Sequence, residues 1–467
     1  TPSGTFPTLF AEQQAASQRI KHTDARQRLA KLQRIADFLD QPANITALSA
    51  ALQADFNKPT AEIYISEVGV VWQQLKFIRK HLRTWMAAQR VATPLPLLGT
   101  RSYLRKEPKG VCLIMAPWNY PFNLAILPLL YAIAAGNTVI LKPSEISANT
   151  SAFIKRMIDS LFPAEEVAVV EGDAKVASAL LDLPFNHIFF TGSPQVGKIV
   201  MKAASKHLSS VTLELGGKSP TVIDTQVDVV KTAKDTAWAK CFNAGQTCIA
   251  PDYLLVHESI AEEFAQAYVQ AIKDMYGQDI ATSPDYARII SHKHYARLYG
   301  LLEDALAKGA QLQTGGKGNA AERFLPPILL TQVTEDMKVM DEEIFGPLMP
   351  MMTYRHIDEV IDLINRRPRP LSLYVQSKRS SFVRHILNHT SSGGANVNAY
   401  LLGYANPDLP FGGINNSGIG KSMGYHGFVE FCNERGIIER RFGNVRFLYP
   451  PYSKWVTKLA DKLFRWL

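Results

Sequence analysis

Cysteine is scarce in this sequence: Cys112, Cys241, Cys248 and Cys432 are the four examples in 467 residues. They show neither paired metal-ligand spacing nor a dense disulfide framework, so we expect no metal site and a reducing, cytoplasmic compartment. Also missing is any run of roughly 18 to 20 apolar residues, the length that a membrane-spanning helix needs. The first residues are polar rather than an apolar signal core. We therefore expect neither export nor membrane spanning.

Acidic residues are outnumbered, since 51 Lys and Arg face 42 Asp and Glu, a formal net charge of +9. The basic residues are scattered, apart from the pairs at 366–367 and 440–441. We interpret most of them as solvated surface and expect no nucleic-acid partner. With 46% hydrophobic residues in a chain of this length, the composition predicts a globular protein of two or more domains.

Hydrophobic periodicity changes along the chain. The first ~90 residues repeat apolar residues at helical spacing, as at Leu29, Leu32, Ile35 and Leu39. Two prolines and a glycine then break the pattern before a predicted strand at 102–105, which indicates an arm leaving the body. From Gly110 onward, short apolar runs alternate with helical stretches, which predicts an α/β fold with parallel sheets. The predicted strands are 111–115, 139–141, 167–170, 187–190, 211–213, 253–256, 351–354, 371–376 and 395–397; further helices are predicted at 260–275, 293–308 and 357–365.

Polar residues follow the first two predicted strands, where ligands of parallel sheets bind. The first strand leads into APWNYP, whose two prolines bracket a turn that would hold Asn119. Its carboxamide could donate a hydrogen bond to an oxyanion, or it could satisfy its own turn. After the second strand, Lys142 and Glu145 suit a ribose and a neighbouring phosphate, although a solvated surface pair would look the same.

Two later strand ends carry weaker signals. Gly192 and Gly197 form G-x-x-x-x-G around Ser193 at a strand-to-helix turn. This spacing is neither the G-x-G-x-x-G fingerprint nor a P-loop, yet a pyrophosphate could rest against the helix N-terminus. Glu214 ends the fifth strand before a Gly-Gly turn, and it could be a general base or merely a strand-end carboxylate.

Cys248 is a lone thiol among small and polar residues in FNAGQTCIAP. A free cysteine in an enzyme is usually a small hydrophobe, and we assign that packing role to Cys112, Cys241 and Cys432. A reactive role for Cys248 would need a base, an oxyanion donor and a cofactor cradle elsewhere in the chain.

Several motifs together supply that context. APWNYP, LKPSE, FTGS, ELGGKSP, AGQTC, EEIFGP and PFGG occur in the order and rough spacing of the aldehyde dehydrogenase superfamily, which the chain resembles from about residue 10 to about residue 445. The short region before APWNYP is similar to that of the class 3, fatty or aromatic aldehyde branch. The resemblance implies a modified Rossmann cofactor domain (1–88 and 106–217), an α/β catalytic domain (218–424) and a small oligomerisation arm (89–105 and 425–445).

The same resemblance implies the residue roles. Cys248 is the expected nucleophile, Asn119 the oxyanion donor and Glu214 the base that activates water. Glu343 would bind the nicotinamide ribose and is an alternative base. The cofactor is expected to be NAD, because a carboxylate such as Glu145 favours a 2′-hydroxyl, with NADP as the alternative. The implied cofactor-binding residues are Trp118, Lys142, Glu145, Gly192, Ser193, Gly197, Leu215, Glu343 and Phe345.

The expected activity is oxidation of a medium- or long-chain aliphatic, or aromatic, aldehyde to its acid, by a homodimer. Two alternatives stay open: a cysteine hydrolase or acyltransferase, and a dehydrogenase that passes its thioester to coenzyme A. The segment 446–467 is predicted to form an amphipathic helix that lies on an anionic membrane, gates the substrate or only packs on the protein. Its apolar stripe is Trp455, Val456, Leu459, Leu463, Phe464 and Leu467.

Overall fold

The computed structural model describes residues 5–444, 446 and 449–465. Helices fill the N-terminal region as predicted, and the stripe residues Leu32, Ile35 and Leu39 are fully buried. One feature departs from the expectation of regular helices, because Tyr64–Val68 forms a π-helix in which the Gly69 N–H donates to the Tyr64 carbonyl. These helices are α1 Thr5–Ile20, α2 Ala25–Leu39, α3 Pro42–Phe56, α4 Thr60–Ile63 and α5 Gly69–Met86.

Strands and helices alternate through most of the remaining chain. The strands are β1 Gln89–Val91, β2 Thr100–Pro108, β3 Val111–Met115, β4 Thr138–Lys142, β5 Val167–Val169, β6 His187–Gly192, β7 Ser210–Leu215, β8 Pro220–Ile223, β9 Tyr253–His257, β10 Gln311–Thr314, β11 Ile328–Thr331, β12 Leu348–Tyr354, β13 Ser372–Gln376, β14 Gly394–Val397, β15 Gly418–Ile419 and β16 Cys432–Arg440. The helices are α6 Asn123–Ala135, α7 Ala148–Leu161, α8 Ala174–Leu181, α9 Pro194–Ala204, α10 Val229–Cys241, α11 Ala261–Tyr276, α12 His292–Ala307, α13 Lys338–Asp341, α14 Ile357–Arg366, α15 Ser380–His389, α16 Gly424–Glu430 and α17 Lys454–Arg465.

The first sheet has the order β15-β7-β6-β3-β4-β5, and the five strands other than β15 are parallel. Helices cover both faces, so β3 and β4 are buried along their whole length. This is the doubly wound order of a Rossmann fold, with its switch point between β3 and β6. The added strand β15 runs antiparallel to β7 and pairs Gly418 with Glu214.

The second sheet repeats that order. Five of its parallel strands run β12-β9-β8-β13-β14. The parallel strand β11 and the antiparallel strand β10 extend the β12 edge. The expected α/β fold class, with Rossmann-like and catalytic sheets, is confirmed.

Strands β1, β2 and β16 form a separate antiparallel sheet, built from segments that overlap those predicted as an arm. Strand β2 is longer than predicted because it pairs with β16 from Pro108 to Thr100. Helix α17 follows, although Leu467 and the side chains of Leu463 and Phe464 in the predicted stripe lie outside the described residues. Among the described residues, no helix combines the length and apolar character needed to cross a membrane.

Candidate active site

The residues predicted from scattered motifs come together in a cleft between the two sheets. Asn119 follows β3, and Glu214 lies near the carboxyl end of β7. The second sheet approaches from its other edge, since Cys248 and Glu343 precede the first residues of β9 and β12. Glu214 and Cys248 line one cavity. The cleft therefore joins the carboxyl edge of one sheet to the amino edge of the other.

An unusual backbone path places Cys248. Asn243, Ala244 and Gly245 have φ values of 53°, 51° and 74°, three successive residues in a region that favours glycine. A Cβ at Gly245 would collide with the Gly346 carbonyl. The Gln246 side chain fixes the turn by donating to the Arg288 carbonyl (3.0 Å). Cys248 emerges half-buried, with its thiol facing the cavity rather than packed as a core residue.

Asn119 is almost fully buried, with 3% of its surface exposed. Its side-chain amide donates one hydrogen bond to the Gln246 carbonyl at 3.1 Å. An amide nitrogen carries two N–H donors, so a second remains for a substrate oxygen. The Asn119 carbonyl in turn accepts from the Asn243 amide at 3.0 Å. The two loops are thus hydrogen-bonded to each other next to the thiol.

Positive potential favours a reactive thiolate, but the charged groups nearest Cys248 are carboxylates. Burial raises the pKa of its thiol well above the ordinary value, and the Glu343 and Glu214 carboxylates raise it further. The N–H groups of Cys248 and Ile249 act in the opposite direction. The thiol is therefore protonated in the protein alone, and activation requires a proton acceptor or an added positive charge.

Glu214 has the properties expected of a base. Its side chain is 8% exposed, and its Oε1 atom is buried without a hydrogen-bond partner. Burial raises its pKa to about 7, against the opposing effects of Ser422 and Lys421. A carboxylate with this pKa exchanges protons readily near neutral pH.

Glu343 is a second perturbed carboxyl group. Burial, together with the negative charge of Asp252, raises its pKa to about 8. The absence of a side chain at Gly216 gives it room, because a Cβ there would collide with its carboxylate oxygens. Arg297 anchors its peptide segment by donating to the Glu343 carbonyl at 3.3 Å.

An aromatic cluster borders this region. Trp118 packs edge-on against Phe345, with 5.3 Å between ring centroids. On its other side lies His294, 4.8 Å away, which the sequence interpretation missed. Burial lowers the pKa of His294 to about 4, so the ring is neutral near pH 7. A histidine inside a helical stretch gives no local sequence signal, and only its contact with Trp118 identifies it.

Seven of the nine predicted cofactor-binding residues lie at or next to the carboxyl edge of the first sheet, and Glu343 and Phe345 come from the segment before β12. Lys142 is buried, and its Nζ donates to the exposed Glu145 carboxylate at 3.2 Å. Ser193 caps α9 by accepting from the Val196 N–H at 3.4 Å. Because α9 directly follows β6, its N-terminus lies next to the switch point between β3 and β6.

Close packing at the same edge fits a bound dinucleotide. A Cβ at Gly197 would lie 2.7 Å from the Leu215 side chain, so glycine lets α9 approach β7. Gly192 is similarly restricted by the Phe190 ring at 2.5 Å. A helix N-terminus at a switch point suits a pyrophosphate, and the Lys142–Glu145 pair suits the adjoining ribose.

A largely apolar cavity of about 190 Å³ leads to the thiol. Its polar side chains are mostly satisfied by one another: Tyr120 bonds to Thr247 at 2.6 Å and Tyr404 to Asn123 at 3.3 Å. The rim exposes apolar side chains. Members of the wall include Ile65, Val70, Leu124, Trp238, Phe242, Ile249, Leu371, Leu401, Leu402 and Phe411. The remaining cysteines, Cys112, Cys241 and Cys432, are buried.

Comparison with known proteins agrees with this geometry. The model of the aldehyde dehydrogenase family matches residues 7–437. The 4,4'-diaponeurosporen-aldehyde dehydrogenase of Staphylococcus aureus is 45% identical over 388 residues, 83% of this chain and 84% of that protein. The aldehyde dehydrogenase family 3 member B2 of Mus musculus is 42% identical, covering 93% and 90%. A solved substrate-bound state of Staphylococcus aureus AldH is 40% identical and superimposes with a TM-score of 0.93 over 98% and 99% of the two chains.

Proposed function

This chain belongs to the aldehyde dehydrogenase family, and from that premise we propose that it oxidises an apolar aldehyde at Cys248. Class 3 members are among its relatives, and the enzyme is an NAD(P)-dependent aldehyde dehydrogenase. The hydrolase and coenzyme A alternatives are not favoured by these relatives. The observation that carries the proposal is the apolar cavity whose wall contains both Cys248 and Glu214.

We propose a medium- or long-chain aliphatic, or an aromatic, aldehyde as substrate. The cavity wall offers apolar surface, and its hydroxyl and amide groups are largely engaged with each other. Each buried methylene contributes about 0.8 kcal/mol, so kcat/KM should rise about fourfold per added carbon until the cavity is filled. A series of straight-chain aldehydes assayed with NAD and NADP tests this. A flat series, or a preference for short charged aldehydes, would contradict the substrate class.

The proposed chemistry begins at the sulfur. The Cys248 thiol loses its proton to water, its Sγ bonds to the aldehyde carbon, and the carbonyl oxygen becomes an oxyanion. The second N–H of Asn119 and the backbone N–H of Cys248 are the proposed donors to it. Each such donor typically contributes about 3 to 4 kcal/mol to the transition state. The burial of Asn119 and its fixed bond to Gln246 support this role.

Completion of the reaction needs a hydride acceptor and a base. A bound nicotinamide would supply the hydride acceptor for the substrate carbon, which would then remain attached to Cys248 as a thioester. Glu214 is proposed to take a proton from the water that attacks this thioester. Its unpartnered Oε1 and its pKa of about 7 support the assignment. Glu343 is proposed to hold the nicotinamide ribose and is the alternative base.

Cofactor binding is proposed at the carboxyl edge of the first sheet. Glu145 and Lys142 would face the adenosine ribose, and a carboxylate there favours NAD over NADP. Ser193 and the α9 N-terminus would face the pyrophosphate. Gly192, Gly197 and Leu215 shape the same turn, and Trp118 and Phe345 would pack beside the nicotinamide.

Domain organisation and assembly are proposed on the family resemblance. The cofactor unit would comprise 1–88 and 106–217, the catalytic unit 218–424, and the arm 89–105 and 425–445. The exposed arm strands support a homodimer in which the arm contacts a second copy. Sedimentation equilibrium of the full chain and of a variant lacking the arm residues tests this, and a monomeric full chain would contradict it.

The protein is proposed to be cytoplasmic, and the segment 446–467 is proposed to contact the surface of an anionic membrane. Within α17, Lys454, Lys458 and Lys462 carry positive charge, and the Trp455 side chain is 61% exposed. Such helices bind membranes through both charge and buried apolar area. The full chain should bind phosphatidylserine vesicles more tightly than neutral ones, and a chain ending at Tyr449 should lose this difference. Unchanged vesicle binding and long-chain activity would leave the helix a packing role only.

A further inference from the structure

A buried cluster of charged residues lies beneath the two loops that carry Asn119 and Cys248. Lys58 and Glu67 are fully buried and form an ion pair of 2.8 Å. The Glu62 side chain belongs to the same cluster and is 8% exposed. Burying charges destabilises a fold unless the charges are paired and hydrogen-bonded. The hydrogen-bond partners of Lys58, Glu62 and Glu67 therefore indicate which part of the fold the cluster stabilises.

One branch of the cluster connects to the oxyanion donor. Glu62 Oε2 accepts from the backbone N–H of Asn243 at 2.9 Å. The Asn243 side chain donates to the Asn119 carbonyl at 3.0 Å and to the Gln246 carbonyl at 3.1 Å. Asn243 itself has a left-handed backbone with φ 53°. The Glu62 carboxylate thus bonds directly to the Cys248 loop at Asn243 and reaches the Asn119 loop through that residue.

A second branch holds the other side of the Asn119 turn. Glu67 Oε2 accepts from the Asn123 N–H at 2.8 Å. Lys58 Nζ lies 3.9 Å from the centre of the Tyr120 ring. The Tyr120 hydroxyl then bonds to Thr247, next to the nucleophile. A buried carboxylate therefore bonds to each loop: Glu62 to the Cys248 loop and Glu67 to the Asn119 loop.

The π-helix joins this cluster to the substrate cavity. Glu67 lies within Tyr64–Val68, and Glu62 lies two residues before its first residue. Ile65 of the same turn lines the cavity. A Cβ at Gly69 would lie 2.5 Å from the Tyr64 carbonyl oxygen, so glycine permits the wide turn. Such π-turns are frequent at functional sites.

We propose that Glu62 is a positioning residue for aldehyde oxidation: through Asn243 it fixes the Asn119 amide relative to Cys248, and the Lys58–Glu67 pair braces the same turn. Glu62 does not touch the substrate. Its effect reaches the reaction through Asn119. This inference rests on the roles proposed above for Asn119 and Cys248.

A double-mutant cycle tests the proposal, with the single-turnover rate of reduced-cofactor formation as the measurement. Glu62→Leu should lower that rate about tenfold to a hundredfold at saturating substrate, because small displacements of reacting groups have effects of this size. The KM for NAD should stay unchanged. Glu62→Gln should recover most of the rate, since its amide oxygen still accepts from Asn243. In the Asn119→Ala background, Glu62→Leu should change the rate by less than about threefold.

Asp55 provides the matched control. It is a buried carboxylate of the same region that bonds to Asn149 and Thr150 instead of the active-site loops. Asp55→Asn should lower the melting temperature, and any change in rate should be the same in both Asn119 backgrounds. If Glu62→Leu does not fold, Gly69→Ala takes its place in the cycle.

The possible outcomes separate the two proposals. Equal rate losses from Glu62→Leu with and without Asn119, or a Glu62→Gln variant as slow as Glu62→Leu, would overturn the positioning role. Wild-type rates in Asn119→Ala alone would instead refute the proposed oxyanion donor.

Discussion

Replacing Glu214 by glutamine should separate the two halves of the reaction. The substitution keeps the size of the side chain but removes a base whose pKa is about 7. General base catalysis contributes about 10²- to 10⁴-fold, so thioester hydrolysis should slow by that factor while hydride transfer proceeds once. In a stopped-flow experiment, Glu214→Gln should release about one reduced cofactor per Cys248 and then stall.

The same variant should be more stable than the wild type in mild alkali. Burial raises the Glu214 pKa from 4.5 to about 7, so the folded chain holds this proton more tightly than the unfolded chain. The resulting stabilisation is complete below pH 4.5 and is lost as the pH rises to about 7, a difference of about 3 kcal/mol. Glutamine has no charge to bury. The melting temperature of Glu214→Gln should therefore exceed that of the wild type at pH 8, and the gap should shrink towards pH 5.

Glu343→Gln is the matched control, because it removes a neighbouring carboxyl group that is also buried. It should slow the burst through weaker cofactor binding without causing a stall. Steady turnover of Glu214→Gln at the wild-type rate, or a stall in Glu343→Gln alone, would refute the assignment of Glu214 as the base.

Three further predictions follow from the geometry. Gly197→Ala places a Cβ 2.7 Å from Leu215 and should destabilise the protein by about 1 to 3 kcal/mol and raise the KM for NAD, as melting curves and cofactor titration would show. Because burial, Glu343 and Glu214 raise the pKa of Cys248, its alkylation by iodoacetamide without cofactor should keep accelerating above pH 9; a plateau near pH 7 would contradict this. Glu145→Gln should reduce the preference for NAD over NADP about tenfold, the contribution of one charge-assisted hydrogen bond. Unchanged selectivity would place the ribose elsewhere.

Buried parallel strands were the easiest elements to predict from the sequence. The run 111–115 was predicted with the bounds that β3 has in the structure. A strand covered by helices on both faces must be apolar throughout, so its limits are visible as a composition change. Strands that end in polar active-site residues were predicted too short, as at β6, which continues through Thr191 to Gly192.

Features that depend on distant contacts could not be predicted. The π-helix needs Gly69 for its wide turn, but a glycine in a helical stretch has many explanations. His294 gains its role from contact with Trp118, some 170 residues earlier in the chain. Burial raises the pKa of Cys248, and carboxylates that the fold places nearby raise it further. The charge state of Cys248 therefore depends on the residues that the fold places around it, and the AGQTC motif alone does not predict it.

The pairing of β15 with β7 has a consequence for the order of synthesis. Glu214 sits opposite Gly418, and the Leu215 N–H donates to the Ser417 carbonyl at 3.1 Å. These partners are translated about 200 residues apart, which takes roughly 10 to 40 s at ribosomal speed. During that interval, β7 is an unpaired sheet edge on the nascent chain, open to association with other chains. Ribosome-bound chains that stop before residue 418 should therefore depend on chaperones more than chains that extend beyond it.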